Sequence, residues 1–310
     1  MFRTHSFKAF DTTVVLGFSA DESEAQKLIH YCEKEAEKFE AKFSRFIPTS
    51  EVSQLNTAMG AELEVSDEMI ELVTQAKKAY ELSKGLFDPT ILNALKLIGY
   101  NKSFSVEPDD SSDGEQDFNE RPRLESLKIG KNTLQAPEGF CLDLGGIAKG
   151  YWVDKMAKVL AKSHQNFWIS AGGDMYMKGK QEDGNLWEIG VQNPRSLEED
   201  LLRLKIREEG QGIATSGIAK RQGIRNGIPW HHLIDPRTGL PTQNSILAVT
   251  VLANSTMQAD VMAKVVLVLG VEKGMEYLAA DPSIKGLIID QNLNIHSTLG
   301  AVHSTKIHHL

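Results

Sequence analysis

Residues 142–154 read LDLGGIAKGYWVD. The apolar run Leu142–Leu144 predicts a short strand ending at Asp143. The pair Gly145–Gly146 then predicts a turn, and a helix opens near Lys149–Gly150. Two glycines without Cβ atoms let the backbone come close to a ligand. The first amides of the helix, its dipole and the Lys149 ammonium together suit an anion. The alternative is a plain glycine turn between strand and helix. Asp143, at the strand end, is placed to accept a ligand donor or to organise a metal shell. The spacing matches neither GxxxxGK[ST] nor GxGxxG.

On either side of this stretch the pattern alternates irregularly. A strand is expected at residues 12–18, and a charged amphipathic helix at 22–43 with Leu28, Tyr31, Cys32, Phe39 and Phe43 on its apolar face. Ser50 and Ser66 are placed to cap helices that follow them, the second running to about residue 83. Downstream come a helix at 150–163, strands within 166–179, strand candidates at 186–194 and 201–206, a strand into a small-residue turn over 212–221, a strand at 246–253, and a helix at 256–269. Many strands are neighbours in sequence, which argues for α+β over a doubly wound parallel sheet.

The chain has 310 residues, of which 41% are hydrophobic, and a formal net charge of −8. That length carries a substantial core, in one domain over 1–310 or two intimately joined subdomains. No basic stripe is present, so a nucleic-acid partner is disfavoured. Cys32 and Cys141 are too few for a disulfide framework. The most apolar region, 246–270, contains Asn254, Asp260 and Lys264, so no membrane span is expected. The first residues lack an apolar signal core. A cytoplasmic location is expected, or a periplasmic one if the chain is a trimmed mature form. Residues 105–122, SVEPDDSSDGEQDFNERP, read as a solvated acidic insertion.

Five short polar segments follow apolar runs: FDPT, LDLGG, AGGD, ATSG and HHLIDPRTG. Each alone is an ordinary turn; together they suggest loops that converge on a ligand cleft. Asp260 and Lys264 share one helix face. They read either as a surface pair or as a carboxylate for a divalent cation with Lys264 beside it. His231 and His232 would point to opposite faces of a strand, so at most one meets a ligand. A backbone-bonded, half-buried histidine is the plain alternative to a phosphate contact or base. The histidines at 303, 308 and 309 read as a chain end.

In this order the motifs resemble the ApbE family of FAD:protein FMN transferases. The segments FSRFIPTSEVSQLN, GLFDPT, LDLGGIAKGYWVD, AGGD, ATSG, HHLIDPRTG and ADVMAKVVLVLG carry the resemblance, from about residue 10 to 290. It implies an α+β, T-fold-like architecture around an FAD cleft. It also implies Mg²⁺-dependent transfer of FMN from FAD to a Thr or Ser hydroxyl of an acceptor protein, with AMP released. By position, Phe46 would face the flavin ring, Phe87 and Asp88 would hold flavin, and Asp143 would bind FAD, with Lys149, Thr215 and Ser216 joining them. His232, Ile234 and Asp235 would line the flavin and phosphate region, with His232 as candidate base. Asp260 would be the main Mg²⁺ ligand, and the Gly146 carbonyl, Ala263 and Lys264 would belong to the same shell.

Three positions depart from the family pattern. Lys264 stands where a Thr is usual, Ile218 where an acid is usual, and Phe10–Asp11–Thr12 where Met-Gly-Thr is usual. Lys264 opens an alternative: an FAD-binding protein with little transferase activity. An FAD pyrophosphatase, with water as the acceptor, is the other.

Overall fold

Apolar residues that alternate along successive strands build the largest layer, an antiparallel eight-stranded sheet. Its strands lie in the order Phe2–Ala9, Thr12–Ser19, Phe167–Ala171, Asp174–Lys178, Gln211–Gly217, Ile246–Ala253, Lys285–Asp290 and Ile295–Ser297. The structure, a computed structural model, describes residues 2–98, 100, 118–219, 222–225, 228–300 and 304–306. The histidines at 303, 308 and 309 lie outside the described residues, as does the acidic insertion from 105 to 117.

The described residues contain seven α-helices: α1 Glu22–Phe43, α2 Glu51–Asn56, α3 Asp67–Leu82, α4 Leu92–Leu97, α5 Ala148–Leu160, α6 Thr256–Leu269 and α7 Val271–Ala280. The chain divides into two units. The first comprises residues 1–36, 149–220 and 244–310; the second comprises 37–148 and 221–243. None of the described helices is long and apolar enough to cross a membrane.

In the first unit, one face of the large sheet contributes Met177, Ile213, Ala248, Leu252, Leu287 and Ile289 to a core. Val191, Leu202 and Leu204 from a three-stranded sheet complete it. Side chains alternate along a strand, so the neighbours of Ile213 turn to the other face, where α6 packs on the strands Gln211–Gly217 and Ile246–Ala253. Ser255 caps α6 by accepting from the Gln258 amide at 3.1 Å. Asp154 of α5 takes the two preceding amides, Thr256 at 2.7 Å and Met257 at 2.9 Å. These are donors that a helix start leaves without an internal partner. Gly150 lets α5 and α6 meet, because a Cβ there would lie 2.6 Å from Met257 Cα.

The second unit packs α2, α3 and α4 with short strands. Val52 and Leu55 of α2 and Met69, Leu72, Val73 and Ala76 of α3 are buried. Ser50 and Ser66 cap α2 and α3, accepting from Ser53 and Met69 as their positions predict.

Three expectations are corrected. Leu142–Asp143 is not a strand. Its main chain is held instead by the Asn56 side chain, which donates to Leu142 O at 2.9 Å and accepts from Leu142 N–H at 2.6 Å. The Asp143 N–H donates to Pro89 O at 2.8 Å. With side-chain and loop partners taking these groups, no neighbouring strand is needed. ATSG is not a turn, since Ala214–Gly217 completes a strand that pairs through Gly217 with Ala248. The end of the acidic segment is not a solvated loop: Phe118–Glu120 forms a 3₁₀ turn, and Arg121 is buried behind it.

Candidate functional site

In the first unit the AGGD segment is a tight hairpin. Ala171 pairs with Asp174, and the two residues between them, Gly172 and Gly173, have φ of +66° and +102°. Both values lie in the left-handed region that the favoured two-residue hairpin turns require. The turn sets Asp174 on the sheet face that α6 covers. There the Lys149 ammonium of α5 pairs with Asp174 Oδ2, and the Lys264 ammonium pairs with Asp260 Oδ1 one helical turn away.

Both carboxylates are buried, with side-chain exposures of 6% for Asp174 and 3% for Asp260, while their lysines reach 27% and 24%. Burial raises the Asp174 carboxyl above the usual range, and the nearby Asp260 charge raises it further; Lys149 and Lys264 pull the other way. The four charges therefore form one cluster. Asp260–Lys264 is thus not the surface pair of the simpler reading.

Ala263 is fully buried beside this pair. Ser216 is buried on the α6 face of its strand, whereas Thr215 faces the opposite side, with Thr215 Oγ1 2.9 Å from Thr250 Oγ1. The strands Phe2–Ala9 and Thr12–Ser19 join through Phe10 and Asp11, at φ of +57° and +53°. The Phe10 ring packs edge-on to Trp152 of α5 at 5.1 Å.

The second unit brings together a different set. The Arg45 guanidinium donates from Nε to Asp143 Oδ2 and from Nη2 to Tyr100 O, each at 2.8 Å. Its central carbon lies 4.3 Å from the Phe46 ring centre and 4.9 Å from the Tyr100 ring centre. Tyr100 is in turn 6.4 Å from the His232 ring. Asp143 Oδ1 accepts from the Gly145 N–H at 2.6 Å, which shapes the turn that contains Gly146. The Asp143 carboxylate is therefore committed to Arg45 and to that turn.

Asp88 is likewise committed. Oδ2 pairs with Arg121 Nη2 at 2.8 Å, and Oδ1 accepts from Thr90 N–H and Oγ1 at 2.8 and 2.6 Å. Phe87 and Ile234 are buried, and Ile234 packs with Ala94 and Leu95 of α4. Burial pushes the Asp235 carboxyl up, but hydrogen bonds from the side chain and amide of Arg237 outweigh it and hold it below the usual range. His231 ends the strand Ile228–His231 and His232 lies beyond it, so the opposite-face argument does not govern His232. His231 Nε2 is 3.0 Å from Thr242 O, the backbone-bonded arrangement of the plainer reading.

A family model described as the ApbE family matches residues 10–288. The chain belongs to the ApbE family. The FAD:protein FMN transferase of Vibrio cholerae is 32% identical over 79% of this chain and 74% of its own length. Those of Haemophilus influenzae and Treponema pallidum are each 28% identical, over 76% and 83% of this chain and 70% and 75% of theirs. Among solved structures, the flavin transferase ApbE from Vibrio cholerae matches with a TM-score of 0.82 at 26% identity, covering 97% of each chain. The ApbE protein from Thermotoga maritima matches with a TM-score of 0.84 at 24% identity, over 96% of this chain and 97% of that one, a likeness of fold. The expected α+β ApbE architecture is the one observed.

The ApbE resemblance implies Mg²⁺, which prefers about six hard oxygen ligands in octahedral array. Asp260 Oδ2 is buried with no hydrogen-bond partner among the described residues, the one feature that favours a cation. Against it, Asp260 Oδ1 and Asp174 Oδ2 already carry ammonium groups. No group of three or more His, Cys, Asp or Glu side chains assembles among the described residues. Two carboxylates balanced by two ammoniums do not, as arranged, fit a further dication. Gly146 belongs to the second unit, and Asp260, Ala263 and Lys264 to the first.

Several residues that the structure brings into these clusters bear no clear mark in the sequence. Asp174 follows the AGGD glycines and was visible only as part of a turn. Arg45 lies between two aromatic residues in FSRF, a signal for a stacked guanidinium. Arg121 and Tyr100 had none: their partners are 33 and 55 positions away in the chain.

Proposed function

We propose that this chain transfers FMN from FAD to a Thr or Ser hydroxyl of an acceptor protein. The observation that carries the reading is membership of the ApbE family, with a relative named FAD:protein FMN transferase that is 32% identical over 79% of the chain. The acceptor hydroxyl oxygen bonds to the phosphorus on the FMN side of the diphosphate. The P–O bond to the AMP phosphate breaks, AMP leaves with the electron pair, and the hydroxyl proton passes to a base. We place the whole 310-residue chain in this role as one transferase domain.

The chain's own residues supply what this step needs. Phosphoryl transfer is mostly positioning and charge stabilisation. Lys149 and Lys264, part-exposed and each backed by a buried carboxylate, offer ammonium donors to phosphate oxygens. Arg45, Phe46 and Tyr100 form a flat cationic and aromatic surface of the kind that receives a planar ring. His232, beside Tyr100, is the candidate base.

A second reading, an FAD-binding protein with little transfer activity, is favoured by one observation, the Lys264 ammonium seated on Asp260. Incubating the chain with FAD and a Thr-containing acceptor, then measuring acceptor mass and free AMP, separates these readings. A mass gain of one FMN with stoichiometric AMP is expected. AMP without a mass gain means hydrolysis, and intact FAD with unmodified acceptor supports the binding protein.

A further inference from the structure

Asp260 is 2% exposed. A carboxylate so buried needs a cation or a full set of hydrogen bonds. Here the cation is supplied by the same helix. Lys264 reaches back one turn to Asp260 Oδ1, and its ammonium lies 3.4 Å from the Asp260 main-chain oxygen. An ammonium carries three donors, and this lysine is 24% exposed at its side chain. The Lys149–Asp174 pair repeats the arrangement on the facing strand turn.

We propose that Lys264 is the resident cation of this site, so that the chain holds the diphosphate of a flavin dinucleotide through the ammoniums of Lys149 and Lys264 without a divalent metal. The proposal rests on the flavin-transfer reading and narrows it. A metal at Asp260 would have to displace Lys264 from Oδ1 and then sit beside two ammoniums against buried carboxylates, where low polarisability makes like charges repel strongly. The ammoniums need no such rearrangement. Their carboxylates hold them in place, and charge-assisted bonds from an ammonium suit phosphate oxygens. Lysine binds phosphate as a point charge, which tolerates the varied oxygen positions of a flexible diphosphate.

The test uses the full chain and FAD, with affinity read from quenching of flavin fluorescence in EDTA and in excess Mg²⁺. The expected result is the same dissociation constant in both conditions to within about twofold, with no heat of binding when Mg²⁺ is titrated into the FAD complex. A loss of affinity of about tenfold or more in EDTA, or a one-site Mg²⁺ isotherm, overturns the proposal. The variant Lys264→Thr, after dialysis and elemental analysis, is expected to retain bound Mg²⁺ and to bind FAD in an EDTA-sensitive way; a variant that folds and stays metal-free also overturns it. If FAD fails to bind the wild-type chain in either condition, the flavin reading itself falls, and this proposal with it. The wild-type measurements decide the matter even where the variant does not fold.

Discussion

The Arg121 guanidinium and the Asp88 carboxylate meet at 2.8 Å with side-chain exposures of only 4% and 1%. Arg121 also donates to Phe118 O and Pro236 O, so one cation ties three segments of the second unit together. Breaking such a pair leaves the other charge buried and unpaired, at a cost of about 3–5 kcal/mol. Arg121→Met is expected to lower the unfolding free energy measured by urea titration by that order. Adding Asp88→Leu to it should recover part of the loss, whereas additive losses in the double variant would show that the two residues do not act as a pair.

Asn56 sits at the end of α2 and binds both main-chain groups of Leu142, 86 residues away. It holds the segment leading into the Asp143–Gly146 turn in place of a strand neighbour. Asn56→Leu removes both partners from a part-buried backbone site, which costs about 1–3 kcal/mol. Besides lowering stability, it should raise amide exchange at Leu142. Unchanged exchange there would mean that the segment is held by other contacts.

Gly150 of α5 lies so close to Met257 of α6 that a Cβ there would be 2.6 Å from Met257 Cα. A methyl group at Gly150 meets backbone, which cannot swing aside as a flexible side chain does. Gly150→Ala is expected to cost about 1–3 kcal/mol through overpacking, despite alanine's better helix propensity. Thermal unfolding reads this directly; a melting temperature equal to or above that of the wild type would show that the helices part freely.

Acid should loosen the segment that carries His231. Burial lowers its imidazole below the ordinary 6.5, against a smaller upward pull from the hydrogen bond with Thr242. Below pH 6.5 the unfolded chain therefore takes up a proton that the folded chain resists, so this group's contribution shrinks as pH falls through 6.5 towards the folded value. His231→Gln should flatten that part of the stability–pH curve. A curve of equal slope in both proteins would assign the effect to other groups.

Much of the fold was legible in local pattern. α1 begins and ends where its apolar spacing places it, and the serine caps of α2 and α3 are a chemistry written within four residues. An apolar run at Leu142–Leu144 predicts a strand but says nothing about what satisfies its backbone; here that is a distant asparagine. ATSG looked like a turn because its residues are small and polar, yet ladder bonds to residues 248–251 keep it extended. For the candidate site, the motifs single out Asp143, Asp260 and His232 but not the side chains around them. Arg45 at Asp143 and the meeting of Asp174 with Asp260 depend on tertiary placement, for which no spacing rule exists.

Arg45 offers the sharpest test of the flavin surface. Its guanidinium is held by Asp143 and the Tyr100 carbonyl while it stacks on two aromatic rings. A lysine keeps the charge but has neither the planar fork nor the stacking face. If this surface receives the flavin ring, Arg45→Lys should weaken FAD binding by about tenfold, with little effect on binding of ADP, which lacks the ring. Circular dichroism checks that the fold persists. An equal loss for both ligands would place the effect on the nucleotide or on the fold, and unchanged FAD binding would remove Arg45 from the flavin site.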